Sequence, residues 1–120
     1  MKESQEAIAF IKWAQYHPIC KNHLIAIPNG GSRNIIEAQN LKLQGVKPGV
    51  SDYFLAYPTK RYAGLWVELK RRLPFSSVVS DAQHQWQMLM LEHGYDARIA
   101  YGWEEAVMAV KIYLGRKNGK

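Results

Sequence analysis

The sequence predicts an α/β fold in which a mixed sheet of about four strands is flanked by helices. Amphipathic helical spacing alternates along the chain with short apolar, strand-like runs, and Gly and Pro residues separate the two kinds of segment. The 120 residues show no repeat, low-complexity tract or linker, so we expect a single domain over residues 1–120. The predicted element order is α-β-α-β-β-α-β-α.

The first half of the chain is predicted to hold a helix, a strand and a second helix. Apolar side chains at helical spacing predict a helix over residues 3–16, which Pro18 ends. Residues 24–27 are apolar and turn residues follow them at once, as expected of a buried strand entering a tight loop. Ser32 is expected to cap the second helix and Gly45 to end it.

The second half begins with two strand-like runs, about 51–57 and 62–70, which the short segment between them should join as a hairpin. The remaining predicted elements are a helix over 80–93 with an apolar stripe, a strand over 95–101 and a last helix after Gly102.

The composition restricts the class of partner. The formal net charge is +6 and the sequence pI is about 9.5, which favours a polyanion, nucleic acid ahead of an acidic membrane surface. Cys20 is the only cysteine, which excludes an intramolecular disulfide and a thiolate metal cage. No apolar run reaches the roughly 20 residues of a membrane span and no signal peptide is visible, so we expect a soluble, cytoplasmic protein.

The predicted hairpin carries the side chains that are suited to chemistry. Because side chains alternate along a strand, Glu68 and Lys70 share one face, and the apolar residues beside them face the core. If the loop spans 58–62, residue 57 pairs with residue 63 and Asp52 lies opposite Glu68. Two carboxylates about 5 Å apart can hold one divalent ion.

The grouping of Asp52, Glu68 and Lys70 suits phosphodiester hydrolysis. A divalent ion held by one or two carboxylates polarises a phosphate and activates water. A neighbouring lysine orients that water or stabilises developing negative charge. The alternative is an exposed strand face on which Glu68 and Lys70 form an ordinary ion pair.

Five motifs follow one another along nearly the whole chain. They are Ile27-Pro28-Asn29-Gly30-Gly31, Gly45-Val46-Lys47-Pro48-Gly49-Val50-Ser51-Asp52, Gly64-Leu65-Trp66-Val67-Glu68-Leu69-Lys70, Gln83-x-x-Trp86 and Gly94-Tyr95. Their order and spacing resemble the virus-type replication-repair nuclease (VRR-NUC) domain. The resemblance implies a PD-(D/E)XK nuclease core that uses Mg²⁺ or Mn²⁺. It also implies a homodimeric, structure-specific DNA endonuclease of phage or bacterial type, including resolvases of four-way (Holliday) junctions.

The resemblance also implies roles for particular residues. Asp52 and Glu68 match the metal ligands, the Leu69 carbonyl is a further candidate oxygen ligand, and Lys70 matches the catalytic lysine. The family pattern has proline before the aspartate, where this chain has Ser51.

Gln83 matches the family's glutamine after the core motif, although Gln85 and Gln87 compete for that assignment. The family also places an acidic residue on the first helix, which is either Glu3 or Glu6 here. Helical angles favour Glu3 as a metal ligand, because it lies in line with the apolar stripe. The alternative is that Glu3 binds no metal and is an ordinary carboxylate in the first turn, where the helix dipole favours negative charge.

Basic residues and one glycine-rich loop are the expected DNA contacts. The loop could present backbone N–H groups to a phosphate, or it could be a turn without a ligand. The expected contacts are Asn29, Gly30, Gly31, Arg33, Lys47, Lys60, Arg61, Arg71 and Arg72. Stacking of Tyr101 and Trp103 on unpaired bases is a weaker expectation than packing in the core or an interface.

The sequence thus predicts a metal-dependent endonuclease acting on branched DNA. The alternatives are a nuclease or nickase on ordinary duplex or single-stranded DNA, and a non-catalytic DNA-binding module of the same fold. The carboxylate pair argues against the module, because an acidic site repels DNA unless a cation intervenes. Symmetric cutting of two strands needs two active sites, which predicts a homodimer.

Overall fold

The computed structural model describes residues 1–28 and 34–115, and this part of the chain forms five helices and four strands. The helices are α1 (Glu3–Gln15), α2 (Cys20–His23), α3 (Ile35–Leu43), α4 (Asp81–Glu92) and α5 (Trp103–Tyr113). The strands are β1 (Leu24–Ala26), β2 (Tyr53–Leu55), β3 (Leu65–Lys70) and β4 (Asp96–Tyr101). The predicted α/β class with a mixed sheet is confirmed.

The four strands form one sheet in the order β1-β2-β3-β4. The pairs β1–β2 and β2–β3 are antiparallel, whereas β3 and β4 are parallel and joined by a crossover through α4. Tyr53 pairs with Val67, which is the register that the hairpin argument predicts. One further step in this register places Asp52 opposite Glu68.

The core lies on one face of the sheet. Leu65, Val67 and Leu69 point to this face, as predicted, and are buried with Phe10 of α1 and Val110 of α5. Full burial of such a side chain stabilises the fold by about 1.5–3 kcal/mol. These contacts hold α1 and α5 against the strand that carries Glu68 and Lys70.

The opposite face of the sheet is covered by α4. The rings of Trp66 and Trp86 meet edge-on, with centroids 5.1 Å apart. The predicted apolar stripe of α4 is only partly correct, because Leu89 is exposed and the buried position of this helix is Gln87. Gln87 can be buried because its amide donates a hydrogen bond to the Ser51 hydroxyl inside the protein.

The start of α3 differs from the prediction. The expected cap Ser32 lies outside the described residues, and the N-cap of α3 is Asn34, whose Oδ1 accepts the N–H of Glu37 at 2.7 Å. Asn34 and Glu37 form a capping box, a signal present in the sequence but overlooked. The helix ends as predicted, with Gly45 at φ +103°.

The short helix α2 was not predicted, because four residues are too few to show helical periodicity. Its start is fixed by His17, whose Nδ1 accepts the N–H groups of Ile19 and Cys20 at 3.1 and 3.2 Å. Burial lowers the pKa of His17, with the nearby charge of Lys111 as a second cause, and the neutral ring can serve as this acceptor. No helix within residues 1–28 and 34–115 combines the length and apolar character needed to cross a membrane.

Candidate active site

The site lies where the end of β3, the loop before β2 and the first turn of α4 meet. These three segments surround a cavity of about 270 Å³. Its lining consists of Glu3, Lys47, Pro48, Gly49, Val50, Asp52, Glu68, Lys70, Ser77 and Gln83. The structure therefore brings together Asp52, Glu68, Lys70 and Gln83, which are far apart in the sequence.

Asp52 and Glu68 form a pair of adjacent, largely buried carboxyl groups. The Leu69 N–H donates to Asp52 Oδ2 at 2.8 Å, which fixes the aspartate against β3. Burial raises the pKa of Glu68 to about 8, and the charge of Asp52 adds to the effect. Burial also raises the pKa of Asp52. Both shifts chiefly express the cost of removing a carboxylate from water, to which a neighbouring negative charge adds, Glu3 for Asp52 and Asp52 for Glu68; a proton or a metal cation would relieve this cost.

Lys70 is buried beside this pair. Its Nζ lies 3.7 Å from Glu68 Oε2 and donates to Ser77 Oγ at 3.2 Å and to Gln83 Oε1 at 3.1 Å. Several acceptors therefore hold the ammonium group in one place, facing the cavity. Ser77 is a contact that the sequence analysis missed, because nothing in the local pattern of the loop marks it.

Gln83, and not Gln85, is the glutamine that contacts the site. Its Nε2 donates to Glu68 Oε2 at 3.0 Å while its Oε1 accepts from Lys70. Its side chain also closes the capping box of α4, because Oε1 accepts the Ser80 N–H at 2.9 Å. The start of α4 thereby sets the orientation of the amide between the carboxylate and the lysine.

The loop before Asp52 is held against α4 at two points. Gln87 Nε2 donates to Ser51 Oγ at 2.9 Å, and both side chains are buried. Ser51 therefore makes a hydrogen bond that proline could not make at this position. Gly49 has φ +84° and its Cα approaches the backbone of Ala82, leaving no space for a Cβ.

The two candidate acidic residues of α1 are placed differently. Glu3 is exposed and lines the cavity, and it also lines an adjoining cavity of about 300 Å³ with Asp52 and Leu69. Glu6 is fully buried away from the site, where Arg72 Nε donates to its Oε2 at 2.9 Å. The Trp103 N–H donates to Glu6 Oε1 at 3.0 Å. The hydrogen bonds from Arg72 lower the pKa of Glu6 despite its burial.

The expected DNA contacts are spread over the surface. Lys47 lines the site cavity, whereas Lys60 and Arg61 lie in a separate cavity with Arg98 at the hairpin loop. The guanidinium of Arg72 is bound by Glu6 and Glu104.

Arg71, another of the expected DNA contacts, lies at the end of β3, where its Nε donates to the Met1 carbonyl at 2.9 Å. Four of the expected contacts, Asn29, Gly30, Gly31 and Arg33, lie outside the described residues.

Fold and site together define an α/β nuclease core, in which a hairpin presents two carboxylates and a lysine. The family model of the VRR-NUC domain matches residues 1–104, and the chain belongs to this nuclease family. A solved structure described as a VRR_NUC domain protein superposes with a TM-score of 0.82, at 22% sequence identity, over 100% of this chain and 92% of the other. This likeness shows the fold. No curated protein matches the chain.

Proposed function

We propose that the protein is a divalent-metal-dependent endonuclease that hydrolyses phosphodiester bonds of branched DNA. The observation that carries this proposal is the contact of buried Glu68 with buried Lys70 and with the partly buried Asp52, at the edge of an open cavity. Burying three ionisable groups side by side is costly, and such clusters are typical of catalytic sites.

The donor set fits Mg²⁺ or Mn²⁺. Asp52 and Glu68 would hold the ion, with the Leu69 carbonyl and exposed Glu3 as further oxygen ligands. Among residues 1–28 and 34–115, no three His, Cys, Asp or Glu side chains form a ready-made metal cluster. Two carboxylates suffice for Mg²⁺, which keeps several waters and binds substrate phosphates. When bound, the ion would supply Lewis-acid polarisation of the phosphate.

The protein's own side chains have separate tasks in this proposal. Lys70 places a fixed positive charge where negative charge develops on the phosphate, because Ser77 and Gln83 hold its ammonium group. Gln83 keeps Glu68 and Lys70 in register through its two hydrogen bonds. Glu68 lines the cavity and is otherwise enclosed by protein, since little of its surface is exposed.

DNA is the proposed substrate because the chain carries a net charge of +6 and a lysine outside the catalytic group, Lys47, lies beside the acidic site. Lys47 beside the cavity would contact a phosphate next to the scissile bond, and Lys60 and Arg61, at the far end of the hairpin, would contact phosphates farther along the DNA. Arg71, just after β3, would contact a further phosphate. Arg72, already bound to two carboxylates, would mainly position the strand rather than touch DNA.

A homodimer is proposed as the form that cuts two strands of a junction. Helix α3 has no buried residue, and Ile35, Ile36 and Leu43 are exposed on it. A nine-residue helix is too short to form a stable interface alone, and Ile25 on the edge strand β1 is a further exposed apolar side chain that a partner could cover. We propose a second copy of the chain as the partner of this surface, because a symmetric dimer pairs one patch with itself. The alternative surface is the one that the sequence favours, the last helix with the aromatics around Tyr101 and Trp103, since Met108 and Ile112 of α5 are also exposed.

Cleavage of a labelled four-way junction, compared with matched duplex and single strand, tests the proposal. The assay uses Mg²⁺, Mn²⁺ or EDTA, with wild type, Asp52→Asn, Lys70→Ala and the control Lys12→Ala, an exposed lysine in the last turn of α1. Metal-dependent cutting of the junction is expected for wild type and the control and is abolished in the two site variants. Cutting of duplex or single strand alone would favour the simpler nuclease. Tight binding without cutting would favour the non-catalytic module.

Light scattering tests the dimer independently of cleavage. Wild type should have the mass of two chains, and Ile36→Glu should be monomeric, because a charge cannot be buried in an apolar interface at low cost. The control Ile8→Glu changes an exposed isoleucine on α1 and should leave the mass unchanged. A monomeric wild type at micromolar concentration would contradict the proposed dimer.

A further inference from the structure

The loop between β3 and α4 exposes large apolar side chains beside the active site. In the 73–78 loop, Leu73, Phe75 and Val78 are 63%, 62% and 88% exposed. Soluble proteins leave isolated apolar residues exposed as a matter of course, but a run of them next to a functional cavity indicates a contact surface. The proposed chemistry uses none of these three side chains.

The loop is anchored at both ends, and one of the two anchors is in the site. The Phe75 N–H donates to the Arg72 carbonyl at 3.0 Å, and Arg72 is itself bound to buried Glu6. On the other side, Ser77 accepts the hydrogen bond from Lys70. The apolar side chains are therefore presented from a turn with fixed ends.

Phe75 lies close to the expected position of the scissile phosphate. Only Ser76 separates it in sequence from Ser77, and two extended residue steps span at most about 7 Å. Neighbouring base pairs in a duplex are about 3.4 Å apart. The ring of Phe75 is therefore within a few nucleotides of a phosphate bound at Lys70.

A guanidinium accompanies the exposed ring. Arg71 lies over Phe75, with its Cζ 5.5 Å from the ring centroid. An aromatic ring beside a cation is the combination that binds unpaired nucleotides, because the base stacks on the ring and the phosphate meets the charge. Trp103 is a poorer candidate, since it is half-buried against the core.

We infer that the 73–78 loop recognises an unpaired base beside the cut site, with Phe75 as the stacking residue, and so determines preference for branched over continuous DNA. In an intact duplex every base is already stacked, so the ring gains no partner there. A bulge offers an unpaired base, and an open branch point leaves the last base pair of an arm without a stacking neighbour, so both can bind Phe75 at a lower cost than a continuous duplex. This inference rests on the proposed nuclease function and names the substrate feature that its site reads.

Binding measured without cleavage tests the inference. In EDTA, the full-length protein is titrated into a duplex with one bulged 2-aminopurine, and into the same sequence fully paired. The variants are Phe75→Ala, Phe75→Tyr, which keeps an aromatic ring, and the control Leu91→Ala, an exposed residue on α4. Thermal melting and light scattering accompany each variant.

Wild type, Phe75→Tyr and the control should quench the 2-aminopurine fluorescence and prefer the bulged DNA. Phe75→Ala should not quench the fluorescence, and its affinity for bulged DNA should be about tenfold lower, which corresponds to about 1.4 kcal/mol. Its affinity for the paired duplex should be unchanged. Equal loss on both DNAs, or no loss on either, would overturn the inference. A change of mass in Phe75→Ala would overturn it too, because the loop would then contact protein.

The two proposals fail in different ways. Failure of wild type to cut any DNA, with discrimination of the bulge intact, would refute the nuclease proposal alone. Normal cutting by Phe75→Ala with an unchanged ratio of branched to duplex cleavage would refute the role of the loop alone.

Discussion

Replacing Glu6 by glutamine should destabilise the fold without removing any atom of the proposed active site. The buried carboxylate accepts hydrogen bonds from Arg72 Nε at 2.9 Å, Arg72 Nη2 at 3.2 Å and the Trp103 N–H at 3.0 Å. In Glu6→Gln, one oxygen becomes an NH₂ group, which faces the donors of Arg72. At least one N–H of the half-exposed guanidinium then loses its acceptor, and the acceptor that remains is no longer charged.

The expected cost is about 2–3 kcal/mol, since hydrogen bonds to charged groups contribute about 1.5–3 kcal/mol and water can still reach the guanidinium. For a domain of this size, that is a fall in Tm of roughly 8–12 °C. Urea unfolding and calorimetry of the full chain measure both quantities.

Glu104→Gln is the matched control, because Glu104 Oε1 binds the same guanidinium at 2.8 Å but its side chain is 57% exposed. Its cost should not exceed about 0.5 kcal/mol, as for other exposed ion pairs. Equal costs for the two variants, or a negligible cost for Glu6→Gln, would refute the argument that burial makes the difference.

The same substitution should change the pH dependence of stability. The pKa of Glu6 is lower in the folded chain than in the unfolded chain, so its contribution is present above the unfolded value and is lost as the pH falls through the folded value. Acid unfolding of Glu6→Gln should therefore lack part of the loss that wild type shows. The same loss of stability at acid pH in both proteins would contradict this assignment.

Three further predictions concern other buried contacts. The pKa of Glu68 is raised to about 8 in the folded chain, so the metal-free protein should lose stability as the pH rises from the unfolded pKa of this group toward 8. Thermal unfolding in EDTA measures this pH dependence, and Glu68→Gln should reduce it. An unaltered pH dependence in the variant would count against the assignment. The pKa of His17 is lowered, so stability should fall as the pH drops below about 6.5, and His17→Asn, which keeps an acceptor, should remove that dependence. Gly49→Ala should cost about 2–4 kcal/mol in urea unfolding, because φ is +84° and a Cβ would overlap Ala82; a neutral result would show that the loop can move away from α4.

Local patterns in the sequence were sufficient for the hairpin and its charged face. Alternation along β3 separates Glu68 and Lys70 from the apolar residues of the core, and the loop length fixes the register that places Asp52 opposite Glu68. Both features depend on residues close to one another along the chain. The end of α3 at Gly45 was predictable for the same reason.

Only the tertiary structure decided which of two similar residues contacts the site. Glu3 and Glu6 lie in the same first turns of α1, and the difference between them is Arg72, 66 residues away, which binds Glu6. Gln83 contacts Lys70 because it closes the capping box of α4. The exposure of Phe75 likewise depends on what packs beside the loop. Spacing along the chain determines which side chains share a face, but the partners of that face come from distant segments, and packing alone brings these together.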